Sequence, residues 1–504
     1  MYIKELLEPL NIIDEKNYQD NIDIMGIAYH SERVDEGFIY VAVRGYLTDG
    51  HKYVKSAEKN GAVAVLVEEF IEDCDLPQFK VENSRKSLSE ISAKFYEYPS
   101  KEMKVIGVTA TNGKTTTTYM LNHIYESLGY KTGLVGSVIN KVGGRSVPSE
   151  LTTPESLDLQ KIFRDMRNED IKIALMEVSS MALELYRVND VDYDIVSFNN
   201  FSREHIDQHG SFEKYWDAKS SLIRKAKKES YALLNIDDEH IRTLVNQTQA
   251  TVITYSTKDE SANIYVKDLK LVKGRARFTV VIRESFQAFG KIIEKNEFEI
   301  NLSIPGLHSV ENALVATVIA LTDGIAIKTI QKSMSEFAGV ERRFEYVYEK
   351  DFLIIDDHFA NQKNINVSLE TLSHINCNQL HLLYAIRGNR GITVNRENAE
   401  TLVSWKDRLN IKEVIGTKSI DSVTSKDTVS EEEETVFKEI IKEAGIKLII
   451  FDRLEEAINF TLKRTHKNDI VLLAGCQGMD NGAKIALDYI NHTNQSPIQR
   501  SYIN

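Results

Sequence analysis

The stretch GVTATNGKTTTTYM (residues 107–120) places Gly113, Lys114 and Thr115 in a row behind a short apolar run. A glycine-containing turn that opens into a helix presents backbone N–H groups and the positive end of the helix dipole to an anion. Lys114 is then placed to reach terminal phosphates, and the Thr115 hydroxyl to bind Mg²⁺. KVIGVT before the turn reads as a strand and KTTTTYMLNHIYESLGY after it as a helix, which is the context such a loop requires. The spacing is unusual: residues 108–112 separate Gly107 from Gly113, one more than a standard phosphate loop has.

A metal-bound triphosphate needs carboxylates or imidazoles near it. Glu177 closes the apolar run IALMEVSS, at the strand end where such a ligand would sit. The segment FNNFSREHIDQHGSFEKYWDAKSSL (residues 198–222) gathers His205, Asp207, His209 and Lys219. Its His-Asp-His set at i, i+2, i+4 can serve a metal or a phosphate, while composition alone favours a polar loop with no ligand.

These groups need elements to hold them. IKIALMEVSS reads as a strand ending at Glu177, DIVSFNNF as one ending at Phe201, and YALLNIDDEH as a third that ends in paired carboxylates. Helical stretches lie between them. Parallel strands joined by helices carry ligands at their C-terminal ends, where the polar residues of each segment fall. Ahead of this region FIYVAVRG (residues 38–45) and AVAVLVEE (residues 62–69) read as strands, with VKSAEKNG as a helix ending in glycine. EYPSKEM (residues 97–103) reads as a linker. From about Gly339 a further unit begins, with FLIIDDH, HLLYAIRG, KEVIG, KLIIF and DIVLLAG as strands. The run SEEEE (residues 430–434) reads as a capped helix start with a solvated acidic face. The expected fold is α/β in three domains: a small front α/β domain over 1–98, a central phosphate-loop ATP-binding domain over 99–337, and a rear doubly wound domain over 338–504.

The whole chain sets outer bounds. Its 504 residues exceed one ordinary core. A net charge of −13 argues against nucleic acid as a general partner while leaving room for local basic pockets. Cys74, Cys377 and Cys476 lie too far apart for a metal motif or a disulfide framework, which fits a reducing cytoplasm. The opening MYIKELLEPLNIIDE lacks the order of a signal peptide, and no apolar run reaches membrane-spanning length, so no membrane partner is expected.

GVTATNGKTTT, LTTPES, MEVSSMAL, FNNFSREHIDQHGSFEKYWDAKSSL, NIDD, GLHSVENALVA and ERRFE resemble, in order, the motifs of the Mur ligase family, most of all its UDP-N-acetylmuramoyl-tripeptide synthetases. The resemblance covers most of the chain. It also accounts for the loop: the family's Gly-Thr-Asn-Gly-Lys-Thr begins where Ala110 stands. It implies an ATP- and Mg²⁺-dependent, ADP-forming ligation in which a carboxylate becomes an acyl phosphate and an amine attacks it. Residues Thr111, Asn112, Gly113, Lys114, Thr115 and Thr116 would form the phosphate loop. Thr115, Glu177 and His205 would be the metal ligands, and Lys114, Glu177, His205 and Lys219 the catalytic set. Lys219 matches a lysine that is carbamylated in many members. Asn312 matches an asparagine beside adenine, Arg343 an arginine that reaches ATP, and Asp356 a rear-domain aspartate on the ATP side. Thr152, Thr153, Ser179 and Arg187 match positions that contact a muramoyl-peptide substrate.

The front segment YHSERVDEGFIYVAVRGYLTDGH resembles the domain that grips uridine diphosphate. It keeps Ser31, Gly45, Asp49, Gly50 and His51. The family's Asp-Ser-Arg reads His30, Ser31, Glu32, so the arginine is lost or displaced to Arg33. The rear domain departs further. Asp356 stands without the family's following His and Pro, with His358 nearby. Gly-Asp-Arg-Asp becomes Gly388, Asn389, Arg390, Gly391, in which Arg390 would still bind a substrate carboxylate. The diaminopimelate-selecting loop has no equivalent. Gly-Lys-Gly-His-Glu becomes AGCQGMD, with Asp480 standing for the glutamate, and Met181 replaces the usual residue after Ser-Ser. The expected activity is therefore a ligase of peptidoglycan synthesis, acting on small molecules: an amino acid or amine, and a UDP-muramoyl peptide or other carboxylate. The alternatives are a similar ligase of a specialised pathway whose acid carries no UDP, and a non-catalytic ATP-binding partner protein.

Overall fold

Why the polar residues at the ends of the apolar runs come together is decided by strand order. The computed structural model describes residues 1–19, 21–45, 48–202, 209–272 and 274–493. They divide into two compact units: Met1–Tyr265 with Val281–Asn296 and Leu314–Ile330, and Val266–Val280 with Glu297–Ala313 and Gln331–Asn504.

The first unit contains the front sheet and the phosphate-loop sheet. In the front sheet Gln78–Lys80, Ala62–Val67, Phe38–Val41 and Gly26–Ala28 run parallel, and Asp14–Lys16 pairs antiparallel at one edge. The helix Val54–Lys59 is followed by Gly61 at φ +103°, as its sequence ending predicts.

The second sheet of this unit sets Lys104–Thr109 between Ile173–Glu177 and Ile195–Phe198, all parallel. Tyr231–Asn235 and Thr251–Ser256 extend it parallel on one side, and Thr132–Val135 on the other. The hairpin strands Ile139–Val142 and Arg145–Pro148 then turn antiparallel. Strands covered on both faces read as unbroken apolar runs, and every residue of Ile173–Glu177 is buried. Register does the rest. Glu177 lies opposite Val108 and Phe198 opposite Thr109, so both strands end beside the phosphate loop. The strand of DIVSFNNF stops at Phe198 rather than Phe201, where Asn199 turns its amide to Thr117 of the helix Lys114–Ser127 and Asn200 turns its amide to Asn112 of the phosphate loop.

Two helices carry the candidate site residues of this sheet. Lys114–Ser127 begins with four buried threonines, which are indifferent helix formers. Packing and local bonding keep them helical: Thr118 Oγ1 donates to the Thr115 carbonyl at 3.0 Å. Phe212–Arg224 is capped by Ser211, which accepts from Lys214 N at 3.2 Å. Its inward face carries Tyr215 and, one turn on, Lys219.

The second unit holds a six-stranded sheet in the order Glu345–Glu349, Leu353–Asp357, Ile470–Ala474, Leu380–Ala385, Glu413–Thr417, Lys447–Phe451. All neighbours are parallel except the first pair. Alternate residues feed two cores, Leu382 and Tyr384 on one face and Leu383 and Ala385 on the other, the doubly wound pattern read from the sequence. SEEEE does start a helix, Glu431–Glu443, with Ser430 and Glu433 forming a reciprocal capping box. One expectation fails here: Glu433 is buried at 3% exposure, because its carboxylate is turned inward onto a neighbouring loop.

Candidate active site

The phosphate loop is held open by its neighbours. Gly113 adopts φ +88°, a left-handed conformation that glycine reaches without strain, and the helix starts at the next residue. Asn200 braces the loop with both ends of its amide: Asn112 N donates to Oδ1 and Asn200 Nδ2 donates to the Asn112 carbonyl, each at 3.0 Å. Thr111 N donates to the Asn200 carbonyl, and Thr111 Oγ1 accepts from Ser202 N at 3.0 Å. The Tyr215 hydroxyl lies 3.2 Å from the same Oγ1. The Lys114 ammonium donates to the carbonyls of Ala110 and Thr111 at 2.9 and 3.1 Å, folded over the loop it would share with a phosphate.

Glu177 is the centre of the site. It is fully buried, and its carboxylate accepts from Thr115 Oγ1 at 3.0 Å, Ser137 N at 2.8 Å and Ser137 Oγ at 2.9 Å. Ser137 Oγ also lies 3.1 Å from Thr152 Oγ1. Thr153 Oγ1 donates to the Glu177 carbonyl at 2.7 Å and accepts from Ser179 N at 3.1 Å. The LTTPES segment is thereby stitched to the strand that carries Glu177. Arg187 extends the link, donating to the Thr153 carbonyl at 3.1 Å and pairing with Glu155 at 2.8 Å. A Cβ at Gly136 would come within 2.4 Å of Glu177 Oε1, so only glycine lets the carboxylate lie there.

Lys219 is buried beneath the loop. Its ammonium donates to the Ala110 carbonyl at 2.7 Å, with Thr109 Oγ1 at 3.4 Å and the Tyr215 ring centre at 5.4 Å. Thr116, the next loop threonine, is buried in the helix. His205 and Asp207 lie outside the described residues. His209 faces elsewhere: its Nε2 is 2.9 Å from Ser180 Oγ, and its Nδ1 pairs with Glu184. The paired carboxylates Asp237 and Asp238 are structural. Asp237 receives Thr257 N and Oγ1, and Asp238 caps the helix Glu239–Arg242 while accepting from Phe201 N.

In the front sheet, Ser31 is buried and its carbonyl accepts from Asn60 Nδ2 at 2.8 Å. His51 donates to Asp49 and accepts from Glu68 N, which fixes the turn. A cavity of about 340 Å³ is lined by Met25 to Tyr29, Arg33 and Tyr96, and by Leu157, Asp158, Lys161 and Arg164 of the helix Ser156–Asn168.

In the second unit two expected residues, Asp356 and Asp480, meet on one that the sequence reading passed over. Arg342 Nε is 3.4 Å from Asp356 Oδ1, and its Nη1 pairs with Asp480. Its Nη2 donates to the carbonyls of Gly475 and Cys476. Arg343 follows it, and Phe344 N donates to Asp357 Oδ1 at 2.9 Å. His358 is pushed down to about 3, first by burial and then by the charges of Arg343, Arg342 and Arg387. Asn312 is buried in the helix His308–Thr322. Arg390 pairs with Asp427 at 2.9 Å.

Ser137, Gly136, Asn200, Tyr215 and Arg342 were the residues the sequence reading missed. FNNF did signal Asn200 as a polar residue just past a strand, whereas nothing local marks Ser137. Among the described residues no group of three His, Cys, Asp or Glu side chains could hold a metal. The oxygens of Glu177 and Thr115 are nonetheless the hard donors that Mg²⁺ prefers, and they lie within one hydrogen bond of each other.

Comparison with known proteins identifies the family of the chain. The sequence matches the Mur ligase family, catalytic domain, over residues 23–96; the Mur ligase middle domain over 108–320; and the Mur ligase, glutamate ligase domain, over 342–477. It is 35% identical over 457 residues to the UDP-N-acetylmuramoyl-L-alanyl-D-glutamate–2,6-diaminopimelate ligase of Caldanaerobacter subterraneus subsp. tengcongensis, covering 90% of each chain. The protein of the same name from Oceanobacillus iheyensis is 32% identical, with 94% of each chain covered. The fold matches a solved structure of a ligase of that name with a TM-score of 0.68 at 23% identity, over 98% of this chain and 99% of that one. It also matches the MurF ligase of Thermotoga maritima in complex with ADP, with a TM-score of 0.60 at 20% identity, over 94% and 97%. The chain belongs to the Mur ligase family and is an ATP-dependent, ADP-forming ligase with that family's three-domain architecture.

Proposed function

We propose that this ligase joins the amino group of an amino acid to a carboxylate of a UDP-N-acetylmuramoyl peptide in the cytoplasmic stage of peptidoglycan synthesis, with domain boundaries near residues 98 and 337. The observation that carries the reading is the position of Glu177. One buried carboxylate receives the phosphate-loop hydroxyl of Thr115 and the Ser137 hydroxyl that reaches Thr152. The ATP side and the acid side of the reaction therefore meet at one group.

Thr115 and Glu177 would hold Mg²⁺, with His205 as the third expected ligand. The ion supplies neutralisation of phosphate charge during transfer. Lys114 turns its ammonium from the loop carbonyls to the terminal phosphates. Thr152, Thr153, Ser179 and Arg187 orient the acid so that its carboxylate oxygen attacks the γ-phosphorus. Lys219, beneath the loop, supports the metal side as a carbamate. Asn312 and Arg343 contact the nucleotide, and Arg390 and Asp480 the amino acid. The amine then attacks the acyl carbon and phosphate leaves.

A nucleotide-linked acid is favoured by the front cavity, where Arg33, Lys161 and Arg164 gather beside Tyr29 and Tyr96. Aromatic and cationic side chains around one cavity suit a nucleoside diphosphate. No helix of the described residues is long and apolar enough to cross a membrane. The test is incubation with ATP, Mg²⁺, UDP-muramoyl dipeptide and the pool of natural amino acids. ADP and phosphate should appear only when both partners are present, with one new product mass. Release from no pair in a broad panel overturns the reading.

A further inference from the structure

The loop after the strand Leu380–Ala385 ends at the N-terminus of the helix Ile392–Ser404, on the edge of the sheet where doubly wound folds take their ligands. Both of its anion-binding elements already have partners within the chain. The N–H groups of Asn389, Arg390 and Gly391 donate to the Glu433 carboxylate at 3.0, 2.8 and 2.7 Å. Burial works against the charge on Glu433, but N–H donors from Ser430, Gly391, Arg390 and Asn389 outweigh it and leave its pKa below the ordinary value. That carboxylate is a hydrogen-bonded part of the loop.

Arg390 differs. Its side chain is 37% exposed, with Nη2 2.9 Å from Asp427 Oδ1 and Nη1 donating to the Asn389 carbonyl at 3.0 Å. Asp427 is not a stray surface acid, since its side chain is 18% exposed. A Cβ at Gly388 would lie 2.0 Å from the Asp427 carbonyl oxygen, so the backbone there packs directly on the loop. Asn389 Nδ2 also donates to the Lys426 carbonyl at 3.2 Å. The same edge is acidic elsewhere: Arg342 is shared between Asp356 and Asp480.

We propose that Asp427 is a specificity-determining residue that competes, from within the chain, with the carboxylate of the incoming amino acid for Arg390. The proposal rests on the ligase reading above. An amino acid must displace Asp427 to gain its ion pair with Arg390, so its affinity is set by the difference between two carboxylates at one guanidinium. The side chain of Asp427 tunes KM for the acceptor, while its backbone holds the loop.

The experiment first measures acid-dependent acyl phosphate formation by trapping with hydroxylamine, which needs no amino acid. Acceptor kinetics follow for the amino acid that gives turnover in wild type. Asp427→Asn and Asp427→Ser both keep the packed backbone, so one poorly folded variant does not decide the result. Each should lower the acceptor KM about two- to fivefold, the range of a partly exposed ion pair, with the gain in KM rather than in kcat. Arg390→Gln should raise KM, and adding Asp427→Asn to it should bring no further change. Acceptor KM unaltered or raised in both Asp427 variants overturns the proposal. Absence of hydroxamate with every acid tried overturns the ligase reading, and the proposal with it.

Discussion

The Thr115 hydroxyl donates to Glu177 Oε2 at 3.0 Å, across the parallel register that sets Glu177 beside Val108. Two side chains 62 positions apart in sequence are thus close enough to share one metal ion as ligands. Glu177→Gln keeps the volume and one acceptor oxygen but removes the charge. Turnover should fall by roughly a hundredfold or more, the scale of losing a charge-stabilising group at a reacting centre. Calorimetry should show ATP affinity reduced with Mg²⁺ present and little altered without it. Turnover within twofold of wild type would exclude Glu177 from the metal site.

Lys219 offers a chemical test. Buried between the Ala110 carbonyl and the Tyr215 ring, it has a short, enclosed path to the phosphate loop. If it acts as a carbamate, its working form is an anion rather than a cation. Lys219→Ala should lose most activity, and acetate or formate should restore part of it by placing a carboxylate in the space left. Wild-type-like activity in the variant without any added acid would rule the role out.

How far the sequence could be read depends on what kind of contact holds each residue. The phosphate loop and Glu177 lie at ends of periodic segments, so the pattern that predicts a strand or helix also points to them, whereas Lys219 sits inside the helix Phe212–Arg224 and is marked only by the motif around it. All the strands read from apolar runs in the rear sheet are present. Ser137 and Gly136 were not legible, because their importance comes only from the approach of Glu177 along a neighbouring strand. Glu433 misled for the opposite reason. SEEEE gives the helix cap correctly, yet only tertiary packing could show that one of its four glutamates points inward to loop 389–391. Arg342 was eclipsed by Arg343: two adjacent arginines look alike in sequence and are separated by backbone geometry.

That geometry yields a stability prediction. Arg342 has φ +57°, a left-handed conformation that costs a non-glycine residue about 1–2 kcal/mol. Its contacts with Asp356, Asp480 and two carbonyls must offset that cost. Arg342→Ala loses the contacts and keeps the strain, whereas Arg342→Gly loses both. Urea denaturation should therefore find the alanine variant less stable than the glycine variant by about 1 kcal/mol, with wild type above both. An alanine variant equal to or more stable than the glycine variant would remove the strain argument.

A pH dependence follows from His308, a partly buried residue whose pKa burial lowers to about 4. The unfolded histidine titrates near 6.5, so above that pH both states are neutral and the full stability is present. As pH falls from 6.5 towards 4, the unfolded chain takes up a proton that the folded chain refuses, and stability is lost. The loss from this one group is about 2 kcal/mol at pH 5. His358, lowered to about 3 chiefly by burial, adds to the effect in the same direction. Asp357 and Asp480, raised by burial, act oppositely at low pH, so the comparison needs a variant rather than wild type alone. His308→Gln removes the titrating ring. Urea unfolding at pH 7.5 and pH 5 should show wild type losing about 2 kcal/mol more than the variant over that interval. Equal losses would mean that the His308 ring accepts a proton in the folded protein as readily as in the unfolded chain.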